Sequence, residues 1–524
     1  MTTDLPDIGY RKVGLLLAAI LLWKFLLFAL AGLPLPANDS YFYDGAVVNH
    51  LRGGGYFNPT ISHSFPISGS EVFSAYPPLH QLAMLGWMQL FGVSAMSSMG
   101  FHQTLFGCFA VLVVLILRSL QVPSWAALVS VAFLPAITFH DRPDSIATVL
   151  GTFAILSWVR ARQHAGGPSN IWWWACAGAL ALLCTSSLQC GLVYLFVFTV
   201  GLLSERWLAG RPLPLVPMTV AGLIVVGLIA TVRFGFPHLW AGFQEHAGAT
   251  PSITGLRAPR LFELLKVVRS IPGALFAAML LVIVFRSRDS TRRTLALAGA
   301  YPMLGLAAGV ALLAFGSLLF FTANWIGAAL YLQPLLIGLA LVAVAELDGI
   351  GRFRRALVGS FVLLALISNI RAVGLTTWGV ACARDVGRSA SLAMVDGWLA
   401  EARPGEPVIV SSAYLYSASA RRELKLVHSD WLALMSRGLK AEDIDLGRIS
   451  MISREKPRMF VVTQFDYFRF YQGLVERVRA LPGVRGVTVE QTAQVPAPDS
   501  FKATERVVQH VSWAPVLIRI DWGG

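Results

Sequence analysis

What most constrains this chain is a succession of apolar runs long enough to cross a bilayer. They lie near 13–33, 97–117, 123–139, 144–159, 171–185, 187–203, 213–231, 272–285, 294–315, 319–345 and 356–375. A crossing helix needs about 20 mainly apolar residues, and the first run, Val13 to Leu33, has 21. Charge divides the chain in the same way. Residues 1–375 hold 23 basic and 13 acidic side chains, while the shorter stretch 376–524 holds 19 and 16. The expected architecture is an all-α polytopic membrane domain of about eleven transmembrane helices over 1–375, then a small α/β domain over 376–524. Charged residues make up 14% of the whole chain, against roughly 25% in a soluble domain. That excludes a soluble globular protein, a disordered chain and a disulfide scaffold.

Basic residues orient the spans. Arg11 and Lys12 precede the first, and Arg118, Arg160 with Arg162, Arg206 with Arg211, Arg286 to Arg293, and Arg352 to Arg355 follow at alternate loops. All fall on one face if eleven segments cross and the stretch 77–93 does not. The positive-inside rule makes that face cytoplasmic and makes 77–93 an interfacial or re-entrant helix. The net charge of +13 is then explained by topology, with no nucleic-acid partner. Two long loops, 34–96 and 232–271, and the tail 376–524 fall on the outer face. In the tail, Pro407–Ser411, Leu424–Val427 and Met459–Thr463 read as strands, and Leu392–Ala402 and Tyr467–Ala480 as helices. No phosphate-binding GxxxxGK[ST] occurs, which argues against an ATP-driven pump. The first run has spanning length and no evident cleavage site, so it reads as a retained helix. The five cysteines show no metal-ligand spacing, and the four that lie in apolar segments read as small hydrophobes.

The outer face carries acids where a membrane protein should have few. Asp39, Asp44 and Glu71 lie in the first loop, and Asp141 and Asp144 in a tight hairpin. A carboxylate beside an apolar helix end should be paired, metal-bound or catalytic. The plainer alternatives are that Asp39 caps an interfacial helix over 40–51 with Asp44 solvated one turn on, and that Asp141 with Arg142 only fixes the hairpin. Lys24 lies mid-span and needs a partner. His50, His63, His80 and His102, and likewise His238, Glu245 and His246, match no known metal-ligand set. No cofactor is required by the sequence, and a divalent metal stays open. Trp172-Trp173-Trp174 reads as an interfacial aromatic belt.

These segments meet a known pattern. An acid just after the first span (Asn38-Asp39), an aromatic-rich helix, the turn Gly53-Gly54-Gly55 and then Tyr76-Pro77-Pro78-Leu79 resemble the C-type glycosyltransferases of the membrane (GT-C). The similarity is greatest to the branch with aminoarabinose transferases and protein O-mannosyltransferases. Arg142-Pro143-Asp144 with the helix after it is similar to that family's outer-hairpin acid. Tyr331-Leu332-Gln333-Pro334-Leu335 is similar to its Arg-Tyr-x-x-Pro, except that Leu330 replaces the Arg. The resemblance implies a sugar transferase of the inner membrane, acting on the extracytoplasmic face. Its donor would be a polyprenyl-phosphate-linked sugar and its acceptor a glycan, lipid or protein hydroxyl.

On that reading Asp39 is the first choice of catalytic base, Asp44 the second, and Asp144 supports the site. Tyr76, Asp141 and Arg142 are expected beside substrate. Arg257, Arg260 and Lys266 in the second outer loop are candidates to hold the donor phosphate. Those same cations would also suit an interfacial helix over 259–270 beside anionic headgroups. Two other readings stay open: a non-catalytic transporter or flippase of a lipid-linked sugar, and a membrane sensor with a ligand-binding tail. Acids at helix ends and the lack of a repeat favour the enzyme.

The topology is directly testable. A reporter that works only in the cytoplasm, fused after Gly524, should be silent. Strong signal would mean that 77–93 crosses or that the spans are miscounted.

Overall fold

The computed structural model describes residues 9–36, 38–62, 65–139, 142–164, 171–249, 351–382, 387–428, 444–491 and 512–523, with five single positions between 334 and 341. Helix α1 (Tyr10–Leu26) runs on through a π turn to Ala31. Its 22 residues rise about 33 Å, the thickness of a hydrocarbon core. The first outer segment folds as α2 (Asn38–Leu51), the short α3 (Pro66–Ser70) and α4 (Leu79–Phe91). Then come α5 (Ala95–Ser119), α6 (Ser124–Val131), α7 (Pro143–Gln163), α8 (Ile171–Ser186), α9 (Leu188–Ala209), α10 (Leu215–Ala230) and α11 (Pro237–Ala249). A further helix occupies Gly351–Asn369. Among the described residues, Tyr10–Ala31, Ala95–Ser119, Leu215–Gly235 and Val358–Ala381 are long and apolar enough to cross a membrane. The outward faces of α10 and of the helix at 351–369 are apolar surface, including Leu223, Val226, Leu363 and Leu366, which a bilayer covers. The chain is a membrane protein.

The expected spans fare unevenly. Six of them coincide with α1, α5, α7, α8, α9 and α10, and another with 351–369. The segment 123–139 is no continuous helix: α6 stops at Val131, and Pro135 sits in a separate 3-10 turn at Leu134–Ala136, since proline cannot supply the helix-continuing N–H. The runs 272–285, 294–315 and nearly all of 319–345 lie outside the described residues. Helix α4, in the stretch 77–93, has 13 residues and rises about 20 Å, too short to cross. It folds back on the first turns of α5, where the Trp87 indole donates to the Ser97 carbonyl at 2.8 Å. Mid-span Lys24 finds its partners: Nζ donates to the Ile137 carbonyl at 2.8 Å and lies 4.3 Å from the Phe106 ring centre. Of the tryptophan triple, Trp173 is buried with Arg162 over its ring, so it belongs to the core.

Residues 388–522 carry a five-stranded sheet, β1 (Pro407–Val410), β2 (Lys425–His428), β3 (Met459–Thr463), β4 (Val484–Gln491) and β5 (Pro515–Trp522). The order is β2-β1-β3-β5-β4. β1 is parallel to β2 and β3, and β5 is antiparallel to β3 and β4. Strand side chains alternate between faces, and here the two faces serve different cores. Ile409, Phe460, Val462, Ile518 and Ile520 pack with Ile452, Leu474 and Val478 of the outer helices. Val408, Val410, Met459, Val461 and Leu517 join a buried cluster with Val47 and Val48 of α2, Met84 and Met88 of α4, Phe101 of α5 and Ile146 of α7. The sheet therefore shares a core with one end of the helical bundle.

Helices α7 and α9 approach closely at Gly151, where an added Cβ would fall inside the Tyr194 ring. Small residues permit such contact between membrane helices. Gly151→Ala should lower the thermal midpoint of the purified protein, with a cost of about 1–3 kcal/mol. Gly86→Ala, where nothing lies within 4 Å, should not. Equal midpoints for both variants would refute the close crossing.

Candidate active site

Helix α2 is the centre of the end of the bundle on which the sheet packs. It starts at Asn38, so Asp39 is the second residue of its first turn and not the N-cap of a helix over 40–51. The Asp39 side chain lies outside the described residues. The loop after α2 folds back onto it. Gly53 takes the left-handed φ of +81° that glycine allows without a steric penalty. Asn49 then donates to the carbonyls of Gly55 at 2.9 Å and Phe57 at 3.1 Å. Buried Asn58 donates to the Phe42 carbonyl at 3.2 Å and accepts from the Thr60 hydroxyl at 2.7 Å. Gly45 leaves the room for Asn58, because a Cβ there would overlap the amide.

Asp44 is 0% exposed, which overturns the solvated-acid alternative. Its Oδ2 accepts from the Ser98 hydroxyl at 2.6 Å and from the Tyr416 hydroxyl at 2.9 Å. Its Oδ1 lies 3.4 Å from Nε2 of His80, also fully buried. The four groups come from α2, α5, the tail helix Ser412–Ala418 and α4. His102 stacks at 5.6 Å from His80. Tyr76 meets Tyr43 edge-on at 4.8 Å, and Tyr43 lies 6.3 Å from His80, so Tyr76 joins this cluster through its neighbour. Burial, and then the charge of Asp44, push the Tyr56 phenol up, keeping it neutral.

The second acid is built differently. Arg142 precedes α7, Pro143 opens it and Asp144 sits in its first turn, where the helix dipole favours a carboxylate. The Asp144 side chain is 12% exposed, with Arg142 Nε 3.6 Å away at 23% exposure. Ser187 donates to Asp144 Oδ1 at 3.0 Å, and its oxygen also accepts from the Cys190 N–H at 3.3 Å, capping α9. The Cys190 thiol lies 3.3 Å from the same carboxylate oxygen. Ser186 donates to the Pro143 carbonyl at 2.8 Å. The α8–α9 turn thus grips the start of α7. Ile146, two residues past Asp144, shares its buried cluster with Val47 and Val48, just past Asp44. The two acids lie at the same end of the bundle.

The outer loops also meet. Glu245 of α11 accepts from the backbone N–H groups of Ile67 at 3.4 Å and Ser68 at 3.3 Å. His238 lies 3.8 Å from Glu71. Among the described residues, no three His, Cys, Asp or Glu side chains converge as metal ligands. Asp141, Arg257, Arg260 and Lys266 lie outside the described residues. Sequence reasoning missed Ser98, Ser187, Cys190 and Tyr416 as partners of the acids. Ser187 had a local signal, since a serine opening an apolar helix is a good cap. Tyr416, 372 residues from Asp44, had none.

No protein-family model and no curated protein sequence matches the chain. Solved structures do. ArnT, the aminoarabinose transferase from Cupriavidus metallidurans, bound to undecaprenyl phosphate, aligns over 97% of this chain and 98% of its own at 14% identity, with a TM-score of 0.53. The Archaeoglobus fulgidus oligosaccharyltransferase, tethered to an acceptor peptide containing the NVT sequon, aligns over 89% of this chain and 71% of its own at 10% identity, with a TM-score of 0.51. Aligned with the first of these over nearly its whole length, this protein resembles the GT-C membrane glycosyltransferases and has their fold.

Proposed function

We propose that the chain is an integral-membrane glycosyltransferase that moves a sugar from a polyprenyl-phosphate-linked donor to an acceptor hydroxyl on the extracytoplasmic face. The observation that carries this reading is the gathering of the Asp44 and Asp144 clusters at one end of a membrane-glycosyltransferase fold. Carboxylates at the bilayer edge are costly, and such sites are functional candidates by default. The tail packs against that same end, and the positive-inside count puts it outside the cytoplasm.

In the proposed step the acceptor oxygen attacks the anomeric carbon as the bond from that carbon to the phosphate oxygen breaks. Polyprenyl phosphate departs with the bonding electrons. The acceptor proton passes to a carboxylate. Phosphate is a good leaving group, so no second carboxylic acid is required, and direct displacement inverts the anomeric centre. Asp39 is the base in this reading. It stands in the first turn of α2, whereas both oxygens of Asp44 face protein groups. Arg142 and Tyr76 are assigned to substrate, and Asp144 holds Arg142 at the rim. Arg257, Arg260 and Lys266 are assigned to the donor phosphate, and Asp141, like Arg142, to substrate.

Two measurements test these roles, using purified protein and a polyprenyl-phosphate sugar. Asp39→Asn keeps size and hydrogen bonding but cannot take the proton, so turnover should fall by roughly 10²–10⁴ at equal folded amount. Wild-type transfer in that variant would remove Asp39 from the mechanism. Replacing Arg257, Arg260 or Lys266 by Ala should raise the donor KM about tenfold or more in at least one case, as expected for a lost charge-assisted bond of about 1.5–3 kcal/mol. Unchanged donor kinetics in all three would leave those cations to the bilayer surface.

A further inference from the structure

We propose that Tyr416, from the C-terminal part of the chain, is a positioning residue for the catalytic helix, acting through Asp44. The inference rests on the glycosyl-transfer reading. It assigns Asp44 to setting where Asp39 stands, with no part in proton removal.

The geometry on α2 leads to this. Asp44 is enclosed, and the hydroxyls of Ser98 and Tyr416 both donate to its Oδ2 at 2.6 and 2.9 Å. Its Oδ1 accepts no hydrogen bond but is fully buried, 3.4 Å from His80 Nε2, and a base needs a lone pair that the acceptor can reach. The same tail helix grips α2 a second time. Arg52, just past the C-terminal end of α2, donates through Nη2 to the Tyr416 carbonyl at 2.7 Å and through Nη1 to the Ser419 hydroxyl. The two grips are eight residues apart, about two turns or 12 Å along the axis. Two anchors at different heights on one rigid helix settle both its rotation and its axial position. Trp513 ties the tail to a different helix, its indole donating to the Ala31 carbonyl at 3.0 Å at the end of the first span, and takes no part in holding α2.

Asp39 precedes Asp44 by five residues on that helix. A side chain about 5 Å from the axis moves roughly 2 Å when the helix turns by 20°. A misplacement of about 1 Å at a reacting group can cost on the order of 100-fold in rate. Loosening the Tyr416 grip should therefore slow the chemical step while leaving substrate affinity nearly intact.

The test uses the full-length protein, purified, with kcat and donor KM measured per folded molecule. Tyr416→Phe should lower kcat about tenfold or more with KM within twofold of wild type. Tyr414→Phe serves as control, because the Tyr414 hydroxyl lies on the same tail helix but donates within the tail, to the Trp513 carbonyl at 2.6 Å. It should leave kcat per folded molecule unchanged. Asp44→Asn retains one oxygen that accepts both hydroxyls, so it should recover most of the turnover lost in Asp44→Ala. If Tyr416→Phe does not fold, Arg52→Gln releases the other grip and carries the same comparison. Backbone hydrogen exchange over residues 38–51 should be at least threefold faster in Tyr416→Phe than in Tyr414→Phe. Equal kcat in Tyr416→Phe and wild type, or equal exchange over 38–51 in the two tyrosine variants, overturns the proposal. So does a loss in Asp44→Asn as deep as in Asp44→Ala. A wild-type protein with no transfer from a polyprenyl-phosphate sugar would instead overturn the glycosyl-transfer reading, and the exchange measurement would still decide whether the tail holds α2.

Discussion

The end of the molecule where sheet and helical bundle meet is organised around one buried carboxylate. Asp44 gives up its water entirely, and a charge does that only when hydrogen bonds replace the lost solvation, a penalty of several kcal/mol. Here two hydrogen bonds supply it, from Ser98 on α5 and Tyr416 on the tail helix, while His80 on α4 faces the other oxygen at 3.4 Å. Each hydrogen bond to a charged group contributes about 1.5–3 kcal/mol, so no single partner is enough. Satisfying Asp44 requires the outer segment, the bundle and the tail to assemble together.

The apolar packing has the same logic. One face of the sheet packs on its own helices, and the other joins Val47, Met84, Phe101 and Ile146 in a common core. The alternating side chains of β1 and β3 make this division possible. A tail attached only by a tether would leave Val408, Val410 and Val461 facing water. Sharing the core binds the tail to the end of the bundle where the acids lie. There the second acid is clamped independently, with Ser187 capping α9 and holding Asp144 through one hydroxyl. Two carboxylates on different helices are thus each held by their own set of partners.

The reading of the chain from its sequence succeeded where the signal was local. The strands PVIV and MFVVT were evident from continuous apolar, β-branched runs, and the strand Lys425–His428 was expected one residue early, at Leu424–Val427. Strand β4 escaped because Arg485, Thr488 and Glu490 interrupt an edge strand whose outer face is solvated. Strand β5 escaped because its apolar run is short and includes Arg519 and Asp521. The segment 123–139 looked like one span because hydropathy does not register where Pro135 breaks the helix. The acids themselves stood out because carboxylates are rare in this half of the chain. Their states did not, since one turn of helix separates a solvated acid from a buried one.

The sequence by itself determined that this is a membrane protein with several apolar helices and which acids deserve notice. Those are consequences of solvent: apolar length and the scarcity of carboxylates follow from the bilayer residue by residue. Only the tertiary structure decided that Asp44 is enclosed, that Tyr416 and Arg52 join the tail to α2, and that Asp144 is held by the α8–α9 turn. These contacts join residues tens to hundreds of positions apart. Their energy depends on distances of about 3 Å between groups that carry no mark of one another in the chain, and only the packed fold creates those distances.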